Sequence, residues 1–435
     1  MLRLDACNAS LQKLWCEFFR FNLLTDPMFK ISYSPNLKWE VMISWSKNAA
    51  LPIVVANYCI DNQVKLINKP DIKDITSMET LAQTAIQKSE KYFDLTDDLA
   101  KKFRASILLI PFGLIKYGKV KFVGSGGCNI GKRPLDTFDD ALRQAGIKMT
   151  NGEFKTYEVV AKPKKNIMMQ EFSVTAIEAL LTYLAFAKGV DYPINVYQIA
   201  IEPHVRNLID FLNNAGADIS LNVDHSIVIN AGDHKIKEKE FAIISDYIEA
   251  GTYFAIGAGA DNSELIIKWC HVDELSSLYG IATKIGIDFK IIDKHTIRVS
   301  SANKKHYKAT KLETRIYPGF PTDLQSIFGT LLTQADGVSK IFETLYEGRF
   351  GYLAELQNLW ANIEILNPHG AIVIGPCCLK GWYVATTDLR CGGAMVLAGI
   401  MAKGSTFITN EDIIARGYDN IVSKLKAIGV NIEIV

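Results

Sequence analysis

The sequence predicts an α/β fold built from six repeated helix-and-sheet units and divided into two domains. Its 435 residues exceed what one compact core usually holds, so the length favours at least two domains. The composition, 49% hydrophobic and 22% charged, is typical of a globular protein. A helix that ends at a small-residue cap and passes into a strand recurs along the chain, and this recurrence predicts the repeat.

The repeat is clearest where its helices end. The cap glycines Gly146, Gly216, Gly286 and Gly429 lie at multiples of about 70 residues, and Trp360 stands where a fifth glycine is expected. The helix-to-strand passages at these positions span residues 141–147, 211–219, 281–289, 356–363 and 424–432. Six units of this size fill the chain, the first being degenerate around residues 81–88. The units must pack together to bury their apolar faces.

The units share an internal order of elements. In one unit, Pro203 suits the first position of a helix, and Gly216 suits the position just after its end. In a later unit, alternating apolar residues predict two strands on either side of a turn at residues 367–370. Helices and antiparallel hairpins therefore alternate along the chain.

Charge and cysteine content exclude several classes of protein. Lys and Arg total 48 against 47 Asp and Glu, so no global basic field would attract nucleic acid or an anionic membrane. The eight cysteines are scattered without paired CxxC spacing, which indicates reduced thiols and no zinc site. Carboxylates and histidines do not cluster at metal-ligand spacing, so we expect neither a metal nor another cofactor.

The sequence also predicts a soluble, cytoplasmic protein. No apolar run approaches the roughly 20 residues that span a bilayer, and residues 1–27 lack the pattern of a secretory signal. We interpret residues 1–27 as an N-terminal extension, with Met28 as the natural start. No membrane, nucleic-acid or required protein partner is evident.

A glycine-rich loop at residues 126–136 places a cysteine next to two cations. Glycines allow the backbone to bend tightly around Cys128, and Lys132 and Arg133 follow it. Neighbouring cations favour the thiolate, the reactive form of cysteine. Cys128 is therefore a candidate catalytic thiol, and an inert core cysteine is the alternative.

A rigid turn at residues 317–325 precedes a predicted helix that begins near Thr322 or Asp323. Two prolines and a glycine fix this turn, so Asp323 has a defined position at the helix start. A carboxylate at this position either caps the helix or acts as a general base towards a nearby hydroxyl. The sequence leaves both roles open.

Several cations lie close to predicted helix starts, where the helix dipole disfavours them. Arg390 follows Asp388, and Arg416 precedes Tyr418 at the predicted start of the last helix. Lys47 and Arg104 occupy similar positions in the first half of the chain. A bound anion would explain such placement, and solvated charges are the alternative. Together these residues predict a site for a small phosphorylated acid.

In this order, these segments resemble the UDP-N-acetylglucosamine 1-carboxyvinyltransferases of the EPSP synthase-like superfamily, over essentially all of residues 28–435. The matching motifs are Lys47-Asn48, Arg104-Ala105-Ser106, the Gly-Gly-Cys loop ending in Arg133-Pro134, Ser173-Val174-Thr175, Glu249-Ala250-Gly251-Thr252, Pro321-Thr322-Asp323, Arg349-Phe350, Asp388-Leu389-Arg390 and Arg416-Gly417-Tyr418.

The resemblance implies an enolpyruvyl transferase fold, an inside-out α/β barrel with two domains of three repeats each. One domain is expected at residues 47–244 and carries the cysteine loop. The other is expected to combine residues 28–46 with residues 245–435. The two chain crossings, at residues 46–47 and 244–245, would form a hinge.

The resemblance also implies a reaction and its substrates. The carboxyvinyl group of phosphoenolpyruvate is transferred to the 3-hydroxyl of UDP-N-acetylglucosamine, with release of phosphate, as the first committed step of peptidoglycan synthesis. Asp323 would accept the hydroxyl proton, and Cys128 would donate a proton and assist product release. The phosphate would be held by Lys47, Arg133 and Arg416. In this family the phosphonate epoxide fosfomycin alkylates the loop cysteine, here Cys128.

Further residues are implied in substrate binding. They are Asn48, Arg104, Ala105, Pro134, Leu135, Asp136, Ser173, Val174, Thr175, Leu345, Arg349, Asp388 and Arg390.

Six positions depart from the family pattern and leave alternatives open. They are Trp45, Phe138, Tyr247, Gly348, Trp360 and Ala415. One alternative is an enolpyruvyl transferase with a different nucleotide acceptor. Another is a catalytically silent UDP-sugar-binding paralogue. The sister enzyme that acts on shikimate 3-phosphate is disfavoured, because it does not resemble the cysteine loop found here.

Overall fold

The computed structural model describes residues 27–102, 104–124, 134–230, 235–302 and 307–435. Its strands are β1 Phe29–Ser32, β2 Glu40–Met42, β3 Lys65–Ile67, β4 Phe93–Leu95, β5 Lys119–Phe122, β6 Ile147–Thr150, β7 Lys155–Val159, β8 Asn166–Met168, β9 Ile194–Tyr197, β10 Asp218–Leu221, β11 Ser226–Asn230, β12 Glu240–Ala242, β13 Glu264–Lys268, β14 Asp288–Asp293, β15 Thr296–Ser300, β16 Tyr307–Lys308, β17 Lys311–Glu313, β18 Ala335–Phe342, β19 Asn362–Asn367, β20 Gly370–Gly375, β21 Tyr383–Ala385, β22 Ser405–Thr409 and β23 Ile432–Ile434.

The α-helices are α1 Lys47–Cys59, α2 Lys73–Lys88, α3 Asp98–Lys102, α4 Leu109–Tyr117, α5 Asp136–Gln144, α6 Val174–Ala185, α7 Pro203–Asn214, α8 Tyr247–Gly259, α9 Ser276–Ile285, α10 Thr322–Leu331, α11 Gly351–Asn358, α12 Leu389–Met401, α13 Glu411–Ala415 and α14 Ile421–Ala427. Short 3₁₀ helices lie at Arg104–Leu108, Val272–Leu275 and Leu332–Gln334. None of the helices in these residues is long and apolar enough to cross a membrane.

Within the described residues the strands form six small sheets. Three contribute to one hydrophobic core, and their strand orders are β4-β5-β7-β6, β10-β11-β9-β8 and the pair β12-β3. Three contribute to a second core, and their orders are β14-β15-β13-β2, β21-β22-β1-β23 and β16-β18-β20-β19 with β17 also on β18. The predicted arrangement of three units around each of two centres agrees with this topology.

Five of the sheets share one pairing pattern. A parallel pair such as β4 and β5 is followed by antiparallel pairing of β5 with β7 and of β7 with β6. The last sheet completes this pattern with β1, which pairs antiparallel with both β22 and β23. The start of the described chain therefore belongs to the same core as its end.

The predicted helix ends are confirmed by the backbone. Gly146, Gly216, Gly286 and Gly429 have φ angles of +87°, +97°, +87° and +99°, and Trp360 has a φ of +67°. Each follows a helix, α5, α7, α9, α14 or α11, and precedes a strand. The left-handed conformation ends a helix most easily at glycine, which lacks a Cβ. Trp360 adopts the same left-handed conformation although it has a Cβ.

The central helices α8 and α12 lie inside the second core, because almost every residue in them is buried. All thirteen residues of α8 are buried, as are twelve of the thirteen in α12. A Cβ on Gly251 of α8 would come within 2.5 Å of the Leu324 side chain on α10. This close approach fixes the position of α10 beside α8, and α10 carries Asp323.

The two chain crossings between the cores lie side by side. Trp45 and Ser245 form an antiparallel bridge. The Ser46 N–H donates to the Ile244 carbonyl at 2.7 Å, and the Asp246 N–H donates to the Ser44 carbonyl at 2.8 Å. The domain boundaries at residues 46–47 and 244–245 remain predictions, which this pairing and the two separate cores support.

Candidate active site

Asp323 lies in the first turn of α10 and is held by two arginines. Its carboxylate accepts hydrogen bonds from Arg349 Nη2 at 2.9 Å and from Arg390 Nη2 at 2.8 Å. The side chain is 27% exposed, whereas those of Arg349 and Arg390 are 3% and 7% exposed. Pro321 is the N-cap residue of α10, and no described side chain caps this helix. The carboxylate therefore does not play the capping role that the sequence left open.

The two arginines control the charge on Asp323. Burial raises the pKa of this carboxyl, but Arg390 and Arg349 outweigh it and hold the pKa well below its ordinary value. Asp323 is thus ionised, and its basicity is low while both arginines remain bound to it. An anionic substrate that engages these arginines would weaken their hold and make the carboxylate a better proton acceptor.

Asp388 supports this arrangement from α12. Its carboxylate is the helix N-cap and accepts from the backbone N–H groups of Arg390 at 2.9 Å and Cys391 at 3.2 Å. The same oxygen lies 3.6 Å from Arg349 Nη1. Asp388 therefore fixes the start of the helix that presents Arg390 and also orients Arg349.

A second cationic cluster joins the two halves of the chain through Asp74. Lys47 Nζ lies 3.3 Å from one carboxylate oxygen of Asp74, and Arg416 Nε lies 3.0 Å from the other. Lys47 is the first residue of α1, and Asp74 is in the first turn of α2. Arg416 comes from the opposite end of the chain, so one buried carboxylate brings together two of the residues predicted to hold phosphate.

One local prediction about Arg416 is wrong. It was expected at the start of the last helix, but it is the C-cap residue of the short helix α13, and the last helix, α14, begins at Ile421. A cation at a helix C-terminus is favoured by the dipole, so its position needs no bound anion. Its predicted role now depends on its neighbours Asp74 and Lys47.

The other described residues predicted to bind substrate lie on several elements, all but one of them in the first half of the chain. Arg104 and Ala105 begin a 3₁₀ helix, and both are partly buried. Pro134 and Leu135 precede α5, and Asp136 is its exposed first residue. The remaining members of the predicted set are placed at the start of α6 (Ser173, Val174 and Thr175), in the first turn of α1 (Asn48) and in the second half of the chain (Leu345).

The start of α6 is suited to bind phosphate groups. Ser173 is the N-cap residue, yet its hydroxyl makes no capping hydrogen bond. Val174 and Thr175 form the first turn and are only partly buried. Backbone N–H groups at a helix N-terminus attract anions, and a free hydroxyl adds a further donor. Leu345, the predicted nucleotide contact from the second half of the chain, has a side chain that is 39% exposed.

The predicted catalytic thiol, Cys128, and the phosphate ligand Arg133 lie outside the described residues. Of the described cysteines, Cys59, Cys270 and Cys391 are buried, and burial raises the pKa of each thiol. A buried thiol with a raised pKa is a poor nucleophile. Cys377 is partly buried and Cys378 is exposed, but both lie near the end of β20, on an outer sheet.

The structure adds site residues that the sequence did not indicate. Asp74 resembles an ordinary first-turn acid that complements the dipole of α2, so no sequence signal set it apart. His204 is buried on α7, and its Nδ1 has no hydrogen-bond partner among the described residues. Burial lowers the pKa of His204 to about 4, although Asp323 opposes this shift. Asp246 caps α8 and interacts electrostatically with Arg390 and Lys47.

Comparison with known proteins places these features in context. The sequence profile of the family described as EPSP synthase (3-phosphoshikimate 1-carboxyvinyltransferase) matches residues 32–425. A UDP-N-acetylglucosamine 1-carboxyvinyltransferase of Pseudothermotoga lettingae is 35% identical over 91% of this chain and 97% of its own length. The proteins of the same name from Lawsonia intracellularis and Helicobacter pylori are 37% and 35% identical, each over 91% of this chain and 96% of its own length.

Solved structures agree on the architecture. The enolpyruvyl transferase NikO from Streptomyces tendae superposes with a TM-score of 0.83 at 20% sequence identity, covering 94% of this chain and 99% of its own. EPSP synthase from Acinetobacter baumannii gives a TM-score of 0.66 at 12% identity, covering 94% of this chain and all of its own. At these identities the likeness establishes the predicted fold.

Proposed function

The chain belongs to the EPSP synthase family, and from this premise we propose that it transfers the enolpyruvyl group of phosphoenolpyruvate to the 3-hydroxyl of UDP-N-acetylglucosamine. Phosphate is the second product, and the reaction is the first committed step of peptidoglycan synthesis in the cytoplasm. One observation carries the proposal. Relatives with that activity in their names are 33–37% identical over at least 91% of the chain.

The reaction proceeds by addition and then elimination. The acceptor oxygen attacks carbon 2 of phosphoenolpyruvate and loses its proton, while carbon 3 gains a proton. The tetrahedral intermediate then loses a proton from carbon 3, expels phosphate and regains the carbon–carbon double bond. The protein must therefore supply a base for the hydroxyl, an acid for carbon 3 and cations for the phosphate.

Asp323 is the proposed base, and its setting explains how its basicity is controlled. Alone, it is bound by Arg349 and Arg390 and has a depressed pKa. The anionic donor would share these arginines, so the carboxylate would gain basicity only when the donor is in place. This coupling would limit proton removal to the ternary complex.

The phosphate is assigned to Lys47, Arg416 and Arg133, and the proton donor is assigned to Cys128. Lys47 and Arg416 already meet at Asp74, which neutralises one of their two charges. The pair thus keeps one net positive charge for the donor's phosphate. Developing negative charge on the departing phosphate would be stabilised by these preorganised cations.

A second candidate function is the same transfer to a different nucleotide acceptor. Tyr247, one of the departures from the family pattern, is 8% exposed at the first position of α8. Burial raises its pKa well above the ordinary value, and the carboxylates Glu202 and Asp323 add to the shift. A bulky side chain close to the proposed base is favourably placed to alter the choice of acceptor.

The test is an omission series that measures phosphate release from phosphoenolpyruvate. We expect release with UDP-N-acetylglucosamine and none without an acceptor. Release only with another UDP-sugar would establish the second candidate. Binding of UDP-sugar without any release would establish a silent paralogue.

A further inference from the structure

Three side chains join the two cores close to the turn that leads to Asp323. Arg206 is on α7, which packs in the first core, whereas Glu274 and Tyr317 belong to segments that pack in the second core. Arg206 Nη2 bonds to Glu274 Oε2 and donates to Tyr317 Oη at 3.1 Å. Tyr317 Oη donates to the same Glu274 oxygen at 2.7 Å. We call these three residues the seam triad.

Two further interactions link α7 and its N-cap residue to Tyr317. Glu202, the N-cap residue of α7, interacts electrostatically with Tyr317. The Arg206 guanidinium also lies 5.4 Å from the centre of the Tyr317 ring, within cation–π range. Tyr317 is therefore held by the first half of the chain at its hydroxyl and at its ring.

Tyr317 begins the turn that leads to Asp323, and this turn is rigid. Its backbone is closed by the Arg315 N–H on the Phe320 carbonyl at 2.9 Å and by the Gly319 N–H on the Ile316 carbonyl at 2.7 Å. Pro318 and Pro321 restrict it further. Because the turn is rigid, a displacement of Tyr317 would also displace Asp323.

We propose that Arg206 is a positioning residue, which fixes the base-bearing helix α10 through Glu274 and Tyr317 when the two halves meet. The inference rests on the proposed function, because it assigns Asp323 to proton removal. Arg206 does not touch the reacting atoms. Its contribution is to set the distance between the carboxylate and the acceptor hydroxyl, and errors of about 1 Å in such geometry cost up to about 100-fold in rate.

Arg206→Met tests the proposal, because Met keeps an unbranched apolar stem like that of Arg and removes the charge and the donors. We expect kcat to fall about 10- to 100-fold, with the KM for UDP-N-acetylglucosamine within about twofold. Arg298→Met is the matched control, since Arg298 is similarly exposed and also pairs with carboxylates, Glu264 and Asp288, but on an outer sheet of one half. This control should retain its kcat.

Exchanging the charges of Arg206 and Glu274 distinguishes loss of their contact from a general folding defect as the cause of lost activity. Arg206→Glu alone should lose activity, and adding Glu274→Arg should restore part of it, because the pair re-forms in reverse. A kcat for Arg206→Met within about twofold of the wild-type value would overturn the proposal. So would a charge-exchanged variant no more active than Arg206→Glu.

Small-angle X-ray scattering supplies a readout that does not depend on turnover. The seam triad should keep the halves together, so Arg206→Met should have a larger radius of gyration than the wild-type protein and the Arg298→Met control. Equal radii of gyration in all three proteins would contradict the claim that the seam triad keeps the halves together. If the wild-type protein shows no turnover, the proposed function fails, and the scattering result still decides whether Arg206 joins the halves.

Discussion

At the scale of single residues, the site is organised by two carboxylates that each hold two cations. Asp323 is bound by Arg349 and Arg390, and Asp74 is bound by Lys47 and Arg416. Both carboxylates take up cations that an anionic substrate would also bind. Substrate binding and carboxylate basicity are therefore linked, and substitutions at the two positions should have different effects.

Asp323→Asn removes the proposed proton acceptor and keeps the side-chain shape. We expect kcat to fall on the order of 100-fold or more, with UDP-sugar binding largely intact, because general bases contribute that much. Turnover and calorimetric binding would be measured beside Asp288→Asn, an exposed carboxylate paired with Arg298. Near-normal turnover in Asp323→Asn would assign this residue a structural role.

Asp74→Asn releases Lys47 and Arg416 from their shared partner. We expect phosphoenolpyruvate to bind at least as well, since one negative charge is lost, and kcat to fall on the order of tenfold because the two cations are no longer aligned. Asp139→Asn is the control, because Asp139 is also buried and pairs with Lys155 in the same half. A weaker affinity for phosphoenolpyruvate with unchanged kcat would be the contrary result.

At the scale of elements, the sequence was most informative where backbone geometry restricts residue choice. The helix-cap glycines were predicted from spacing alone, and all four have positive φ angles. The helix start at Thr322 was predicted from its prolines. The position of Arg416 was missed, because α13 has only five residues and is too short to show a helical period in the sequence. Asp74 was missed because its partners come from distant parts of the chain, and no local pattern reports such pairing.

Two cap glycines provide a test of the repeat geometry. Gly286→Ala should destabilise the protein by about 1–2 kcal/mol, since its φ is +87° and no atom lies within 4 Å of the added Cβ. Gly146 has the same φ, but an added Cβ would meet the Ala161 carbonyl oxygen at 2.1 Å. Gly146→Ala should therefore cost clearly more. If urea unfolding shows the same loss of stability in both variants, backbone strain at positive φ, rather than the contact with Ala161, determines the loss in each.

At the scale of the whole molecule, the two halves meet through groups that titrate. Glu202, the N-cap residue of α7, lies within electrostatic reach of Tyr317 in the other half and of Glu178. Burial raises its pKa from 4.5 to about 7. A raised carboxyl pKa stabilises the fold fully below pH 4.5, and this contribution is lost as the pH rises through about 7.

Glu202→Gln should therefore reduce the fall in Tm between about pH 5 and pH 8, because it removes this titration. Part of the fall should remain, since burial also raises the pKa of Glu249 to about 7. Thermal scans across this range would measure both proteins. The same pH dependence in the wild-type protein and the variant would show that Glu202 does not couple protons to folding.

The architecture itself was predictable to a large extent, and the site was predictable in part. The repeat was inferred from spacing, the family from the resemblance of its motifs, and the enolpyruvyl transferase fold from that family; all three are confirmed. The pairing of Asp323 with Arg349 and Arg390, and the seam triad around Arg206, depend on how the repeats pack. Such contacts join residues far apart in sequence, so periodicity and composition carry no information about them.

The most direct test of the central claim is to identify the product by mass spectrometry. The purified protein, phosphoenolpyruvate and UDP-N-acetylglucosamine would be incubated together, and phosphate would be measured in the same sample. We expect the enolpyruvyl ether of UDP-N-acetylglucosamine to accumulate in equal amount to phosphate, and to be nearly absent with Asp323→Asn. Unmodified UDP-N-acetylglucosamine, or phosphate released without the ether, would contradict the claim that this chain is the transferase proposed.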